Sequence, residues 1–451
     1  MGALGLLSSK LAANDVFTDR KIKASVDVIV IGAGMAGIAA AKYLRAKRVQ
    51  VKVLEARDRI GGRIWTDRSL GAPLDMGASW IHGIKGNPIS TLAKKFKVQT
   101  SVTNYENFAV YDDNGVQPAA SNVTAVAARY NKLYQNVLDL KGTLARDVSL
   151  EDAFAKVLQK EVFTPADLDQ FHWLQAAEIS GNAAADLDEL SLFSYGEDGQ
   201  FKGSDALFPG GYDQIVNALA TDVSIDLNQV VQKITYDNAN VTVATDQGVY
   251  LANAVIVTLP LGVLQSEKVE FHPALPDYKL KSIKRMGMGL LNKLAMVFPE
   301  PFWPTDKDFI GHIPAAFNEF PEFLSTFKYN QMPVLSAANT GSFARALETK
   351  TDDEAAQDML AVLRGMYGAS VPDPVDYSVT RWGSDPYSMG SYSYLPVGAS
   401  VQDYINLSVP VQSVVFFAGE ATHDKYPNTV HGAYLSGIRE AKNVLKALSG
   451  P

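Results

Sequence analysis

Three glycines, an acid and a lysine carry most of the chemistry that can be read from this chain. Gly32, Gly34 and Gly37 stand in the spacing G-x-G-x-x-G, and Glu55 follows about twenty residues later, the separation at which an acid meets a ribose hydroxyl pair. Gly32 permits a tight turn, Gly34 lets a pyrophosphate approach the backbone, and Gly37 lets a helix pack closely on a strand. The free N–H groups at the start of that helix then face the phosphates. An ordinary glycine-rich turn would have the glycines without the acid, so the pattern is read as a dinucleotide site. The acid opens E-A-R-D-R-I-G-G-R (55–63), which adds Arg57, a second glycine pair and Arg63. A nicotinamide site does not need these donors; a larger ligand lying across the sheet does. Lys293 is the other chemical signal. It stands alone among apolar neighbours in residues 289–298, with no acid beside it in sequence. A buried, unpaired ammonium is expensive, which makes it a catalytic candidate, although a lysine snorkelling from a strand end gives the same local pattern.

These residues need elements to hold them. Residues 26–31 have the β-branched content of a buried parallel strand, 36–47 read as an Ala-rich helix, and 49–54 as a second strand ending on Glu55. Residues 75–88 carry close glycines and small residues, as backbone does where it passes near a flat ligand. Residues 101–204 are richer in helix signals: Ser149 and Thr164 each precede an acid by three residues, and Pro165 takes the favoured first helical position. A helix is expected over 213–220 and another over 352–366. A hairpin pairs 241–245 with 249–251 across the turn Asp246-Gln-Gly248. Buried strands are expected at 254–260, 289–298 and 414–420, and the closing helix over 431–445.

The motifs together resemble the flavin amine oxidase family. They are the glycine fingerprint, E-A-R-D-R-I-G-G-R, G-A-S-W-I-H-G (77–83), V-T-L-P-L-G-V-L (257–264), L-N-K (291–293), W-G-S-D-P-Y-S-M-G-S-Y-S-Y (382–394) and F-F-A-G-E-A-T-H-D-K-Y-P-N-T-V-H-G-A (416–433). Within the family the chain looks most like polyamine oxidases, with G-A-S-W-I-H-G and G-E-A-T-H closest to spermine oxidases. The G-S-Y-S-Y segment is also similar to the lysine-specific histone demethylase. The resemblance implies an α/β fold with α+β elements: a Rossmann-like FAD-binding domain from 21–100, 205–298 and 396–451, and a discontinuous substrate-binding domain from 101–204 and 299–395, after a loose segment 1–20.

Residue by residue, the resemblance implies that Glu55 holds the adenosine ribose and that Arg63, with Arg57 as a weaker candidate, reaches the phosphate–ribityl region. Gly77, Ala78, Ser79 and Trp80 line the cofactor, Val231 contacts the adenine, and Glu420 binds ribityl hydroxyls. The backbone N–H of Val430 and the helix dipole face the flavin pyrimidine oxygen. Lys293 holds a water beside flavin N5. Tyr392 forms an aromatic wall; the facing position is Thr429, so the aromatic cage is incomplete and the cleft wider. Trp382 packs over the flavin, or is an ordinary core tryptophan. His82 contacts or tunes the substrate amine, or is satisfied by backbone. Glu197 binds a distal ammonium, with a solvated surface acid as the simpler alternative.

Composition narrows the rest. A net charge of −8 and 47% apolar residues describe a globular chain without the basic face of a nucleic-acid binder. No metal site is expected. There are no cysteines, so a cysteinyl–flavin bond is impossible and FAD is expected to be non-covalent. No signal peptide, membrane span or peroxisomal C-terminus is read, so a cytoplasmic location is expected; a monomer or weak dimer is expected as well. The expected reaction is oxidation of a polyamine by O2 and water to an aldehyde, a shorter amine and hydrogen peroxide. Another flavin amine oxidase or an L-amino-acid oxidase is the near alternative, and a non-catalytic flavin or polyamine binder the distant one. A chromatin demethylase is disfavoured, because it needs a long helical insertion and a docking domain for which the chain has no room.

Overall fold

The computed structural model describes residues 21–449; the segment 1–20 lies outside them. An eight-stranded sheet forms the first layer, with strand order Glu270–His272, Val231–Tyr236, Val241–Thr245, Gly248–Val257, Ile22–Ile31, Val51–Leu54 and Ile225–Asp226, and with Val415–Phe417 paired to Gly248–Val257. Ile22–Ile31 runs parallel to both Gly248–Val257 and Val51–Leu54, with Val30 opposite Ile256 on one side and Val53 on the other. Its last four residues are buried on both faces, which is why they read as an unbroken apolar run.

Helix Met35–Ala46 leaves the first strand and packs against the closing helix Val430–Leu448. The crossing is close: a Cβ on Gly437 would lie 2.1 Å from the carbonyl oxygen of Ala36. The start of the dinucleotide helix and the last helix of the chain are thus one packed unit.

A second sheet has six strands in the order Asp376–Val379, Leu291–Val297, Val334–Thr340, Glu322–Ser325, Phe309–Ile313 and Phe108–Asp112. Helices Ala120–Asp139, Leu150–Leu158 and Pro165–Gln175 build a separate apolar cluster around Tyr130, Leu133, Phe154 and Phe171. The Ser149 and Thr164 hydroxyls accept from the N–H groups of Asp152 and Asp167, as their spacing predicts. The helix over 213–220 is present as Asp213–Ala220, and that over 352–366 as Asp352–Tyr367 behind a Thr351–Glu354 capping box.

Three expectations change. The hairpin arm at 249–251 and the strand at 254–260 are one ten-residue strand, Gly248–Val257, because nothing in Ala252-Asn253 breaks it and its two ends serve different neighbours. The strand over 289–298 divides into Gly287–Gly289, paired with Tyr392–Tyr394, and Leu291–Val297, which lies inside the second sheet. Residues 291–297 therefore pair with the 299–395 block, not with the first sheet. The strand over 414–420 shortens to Val415–Phe417, and Glu420 opens a tight helical turn. Among the described residues no helix is long and apolar enough to cross a membrane.

Candidate active site

The glycine turn has the shape a dinucleotide needs. Gly32 has φ +100°, a value that L side chains rarely adopt, and a Cβ on Gly37 would lie 1.9 Å from the Gly32 carbonyl oxygen. A Cβ on Gly34, in contrast, would meet nothing nearer than the Gly61 carbonyl oxygen at 3.9 Å. The helix after it has no side-chain N-cap and no acid in its first turn, so no side chain of its own first turn occupies its leading N–H groups. Glu55 ends Val51–Leu54 and is buried; its carboxylate accepts from the N–H of Ala33 at 2.7 Å and of Arg57 at 2.9 Å. Gly34 and Gly61 form a bridge between the two glycine segments. The residues present thus fit a dinucleotide: an open glycine cradle, a helix start without a side-chain cap, and an acid already oriented beside them.

Two further predicted cofactor residues, Arg63 and Glu420, form a connected polar wall. Arg63 donates to the Ser391 carbonyl oxygen at 2.8 Å and pairs with Glu420 at 2.9 Å. The other Glu420 oxygen accepts from the Ser393 hydroxyl at 2.6 Å and the Asn428 N–H at 3.0 Å. Arg57 turns away from this wall: it makes a bidentate pair with Asp385 at 2.7 and 2.8 Å and donates to Ser388 at 2.9 Å, fastening the 385–388 loop to the Glu55 turn. Val231 is buried at the start of Val231–Tyr236. The residues just before it, Asn228 and Gln229, donate to the carbonyl oxygens of Arg57 and Glu55.

Lys293 lies in the middle of Leu291–Val297, opposite Ala338, and is 7% exposed. Its amine donates to the carbonyl oxygens of Asp75 and Gly77, both at 2.7 Å, and to the Ser79 hydroxyl at 2.5 Å. Burial lowers its pKa from the ordinary lysine value, and the charge of Asp75 acts the other way. Desolvation likewise raises the Asp75 carboxyl, opposed by hydrogen bonds from Thr66 and the Tyr212 N–H and by the lysine charge. The lysine thus has an acidic neighbour 218 residues away in sequence. The three protein acceptors match the three donors of the ammonium form.

Around the lysine, Ala78 donates to the Arg63 carbonyl oxygen at 3.1 Å, and a Cβ on Gly77 would lie 1.9 Å from that same oxygen. The Trp80 ring lies 5.6 Å from the lysine nitrogen, and its indole N–H donates to Thr103. Trp382 is buried, meets Trp65 edge-on, and donates to the Met76 carbonyl oxygen at 3.3 Å. It packs against the 76–77 backbone next to Lys293.

Tyr392 pairs with Gly289 and donates its hydroxyl to the Gly181 carbonyl oxygen at 3.0 Å. Gly181 follows a widened helical turn, Ala176–Ser180, so the aromatic wall is tied to the helical block. Thr429 is the N-cap of the closing helix: its hydroxyl accepts from the Gly432 N–H at 2.9 Å and donates to the Tyr426 carbonyl oxygen at 3.0 Å. That cap explains a threonine here in terms of local structure and leaves the N–H of Val430, the first helical residue, without an intrahelical partner. His82 pairs with Asp205 at 2.8 Å and is half exposed. Glu197 is exposed and pairs with Lys141 at 2.7 Å through one carboxylate oxygen.

Sequence reading missed Asp75, Asp205 and Asp385. Asp75 had a faint signal as the acid opening the 75–88 loop. Asp205 and Asp385 had none, because each gains its role only from a partner more than a hundred residues away.

Residues 35–445 match the family described as "Flavin containing amine oxidoreductase". Polyamine oxidase 5 of Oryza sativa subsp. japonica is 36% identical over 94% of this chain and 88% of its own length. Lysine-specific histone demethylase 1 homolog 3 of the same rice is 39% identical over 92% of this chain and 54% of its own. Protein FLOWERING LOCUS D of Arabidopsis thaliana is 38% identical over 97% and 57%. The chain thus spans a little over half the length of these last two relatives. A putrescine oxidase structure bound to putrescine superposes with a TM-score of 0.77 at 21% identity, covering 93% of this chain and 99% of that one.

Proposed function

The chain belongs to the flavin containing amine oxidoreductase family, with FAD as its cofactor, and from that premise we propose that it is an oxidase of polyamines such as spermine, thermospermine and spermidine. Bound FAD supplies the two-electron oxidant, which dioxygen regenerates with release of hydrogen peroxide. The substrate loses a hydride equivalent from the carbon beside nitrogen, and water hydrolyses the resulting imine to an aldehyde and a shorter amine. The protein's part is to bind, orient and desolvate. Glu55, the 32–37 turn, Arg63, Glu420 and the Val430 N–H hold the cofactor. Tyr392 walls the cleft, and Lys293 governs proton and water placement beside the reacting centre. The reacting amine must be neutral, and burial beside an apolar face favours that form.

The observation that supports this reading is the Lys293–Asp75 pair, a desolvated amine fixed by three oxygens between the cofactor turn and the second sheet. The relative carrying polyamine oxidase in its name is also matched over 88% of its length. A second reading has its own support: the relatives named lysine-specific histone demethylase 1 homolog are 36–39% identical, against 35–36% for those named polyamine oxidase, which makes an N-methyl-lysine side chain the rival amine. The exclusion of a demethylase on chain length does not survive these relatives.

A peroxide assay over spermine, thermospermine, spermidine, monoamines, L-amino acids and an N-methyl-lysine peptide decides between them. Fastest turnover on a polyamine is expected. Preference for the peptide, a monoamine or an amino acid would refute the polyamine assignment. Product analysis then gives the cleavage side: 3-aminopropanal with spermidine from spermine, or 1,3-diaminopropane.

A further inference from the structure

We propose that Asp205 is a positioning residue that holds His82 in its Nδ1–H tautomer, leaving Nε2 to accept the proton of an arriving substrate ammonium; this rests on the amine-oxidation reading above. The Asp205 carboxylate takes three hydrogen bonds. One oxygen accepts from the Gly83 N–H at 2.7 Å; the other lies 2.8 Å from His82 Nδ1 and 3.1 Å from the Tyr105 hydroxyl. An ionised carboxylate can only accept, so the nitrogen facing it carries the hydrogen. Burial works to raise the Asp205 carboxyl, but the bonds from His82, Gly83 and Tyr105 outweigh it and hold the group below its ordinary value. The acid therefore stays charged wherever the histidine has to choose a tautomer. The ring is half exposed, so Nε2 can take a proton and return it to solvent.

Two sets of contacts fix this histidine beside the candidate active site. On one side, His82 follows strand Trp80–Ile81, and the Trp80 ring lies 5.6 Å from the Lys293 nitrogen. Phe309, fully buried, stacks between Trp80 at 6.5 Å and Tyr105 at 5.3 Å, so the aromatic row from the lysine ends on the Asp205 partner. On the other side, the buried Asn87 amide donates to the His82 carbonyl oxygen at 3.0 Å and lies 3.5 Å from Nδ1 of His431, the second residue of the closing helix. The substrate step balances without a co-reactant: the ammonium N–H bond breaks, an Nε2–H bond forms, and the imidazolium is stabilised by Asp205 until water removes the proton.

A purely structural Asp205, tying the 82–83 turn to Tyr105, would have no effect on the ring tautomer, and the test reads the tautomer directly. Nitrogen-15 spectra of histidine-labelled holoenzyme resolve the ring nitrogens of six histidines, and His82 is assigned by loss of its signals in His82→Gln. The wild type is expected to show Nδ1–H at His82. In Asp205→Asn, whose amide can donate as well as accept, a mixture or the Nε2–H form is expected, with FAD content unchanged. The kcat/KM for amine should fall on the order of tenfold, the scale for losing an orienting partner. Asp205→Glu should restore the tautomer and part of the rate, and Asp205→Asn should cost nothing further in a His82→Gln background. An Nε2–H wild type overturns the proposal without any variant, as does an unchanged tautomer in Asp205→Asn or an equal rate loss with and without His82. A wild type that holds Nδ1–H but oxidises no amine refutes the functional reading and leaves the tautomer assignment standing.

Discussion

Replacing Lys293 with methionine removes one charge and three donors while keeping most of the side-chain length. In the wild type the ammonium reaches two carbonyl oxygens at 2.7 Å and the Ser79 hydroxyl at 2.5 Å. Counted singly at roughly 1.5–3 kcal/mol, three charge-assisted bonds would sum to about 4.5–9 kcal/mol. Burial opposes most of that sum, because the ammonium has lost its hydration; the lowered lysine pKa, with desolvation as its largest cause, reports the same balance. Asp75, already raised by burial, can meet the loss of its counter-charge by taking a proton. The net loss of stability is therefore expected to be only about 1–3 kcal/mol, with the fold and FAD retained. Catalysis should suffer more, since removing a group that handles a proton at the reacting centre costs on the order of a hundredfold. Stopped-flow absorbance of the flavin separates anaerobic reduction by amine from reoxidation by dioxygen, and at least one should slow on that scale. Wild-type rates in both half-reactions, at full FAD content, would refute the role, and so would a rate loss that only tracks lost FAD.

The glycine turn makes a paired prediction. Gly34→Ala should fold with wild-type circular dichroism yet retain little FAD, because the added carbon meets nothing in the chain nearer than 3.9 Å and projects where the ligand must lie, whereas Gly37→Val should not fold, its Cβ falling 1.9 Å from the Gly32 oxygen; equal FAD retention by Gly34→Ala would overturn the cradle reading. With no cysteine in the chain, acid precipitation should leave all yellow colour in the supernatant, and colour in the pellet would contradict non-covalent binding. His431 is buried, with an Nε2 that has no hydrogen-bond partner, and burial pushes its pKa down to about 4. The unfolded chain then binds more protons between about pH 6.5 and pH 4, so stability falls as pH drops through that window, by about 3 kcal/mol from this residue. His431→Phe should flatten that part of a denaturation-versus-pH curve, and parallel curves for the two proteins would disprove it.

Some of the molecule was legible without coordinates because its causes are local. A strand buried on both faces is apolar at every position, and residues 28–31 are. A tight turn against a helix demands glycine at fixed offsets, as Gly32 and Gly37 show. Caps act over three residues, and Ser149 and Thr164 were found that way. Family motifs pointed to Glu420, Tyr392 and Thr429 as candidates, though not to the bond that the Thr429 hydroxyl accepts from the Gly432 N–H.

What the tertiary structure decided was pairing between distant groups. Lys293 looked alone among apolar residues until the second sheet set it against the 75–79 loop, with Asp75 beside it. Glu197 gained an ion-pair partner in Lys141, and Arg57 a bidentate one in Asp385. His82 acquired an orienting acid 123 positions away. The charge state of each group depends on what surrounds it in three dimensions, since desolvation and Coulomb terms fall off with distance in space and not along the chain. A sequence therefore names the groups able to do chemistry, and only the packed sheets and helices settle which of them are free to do it.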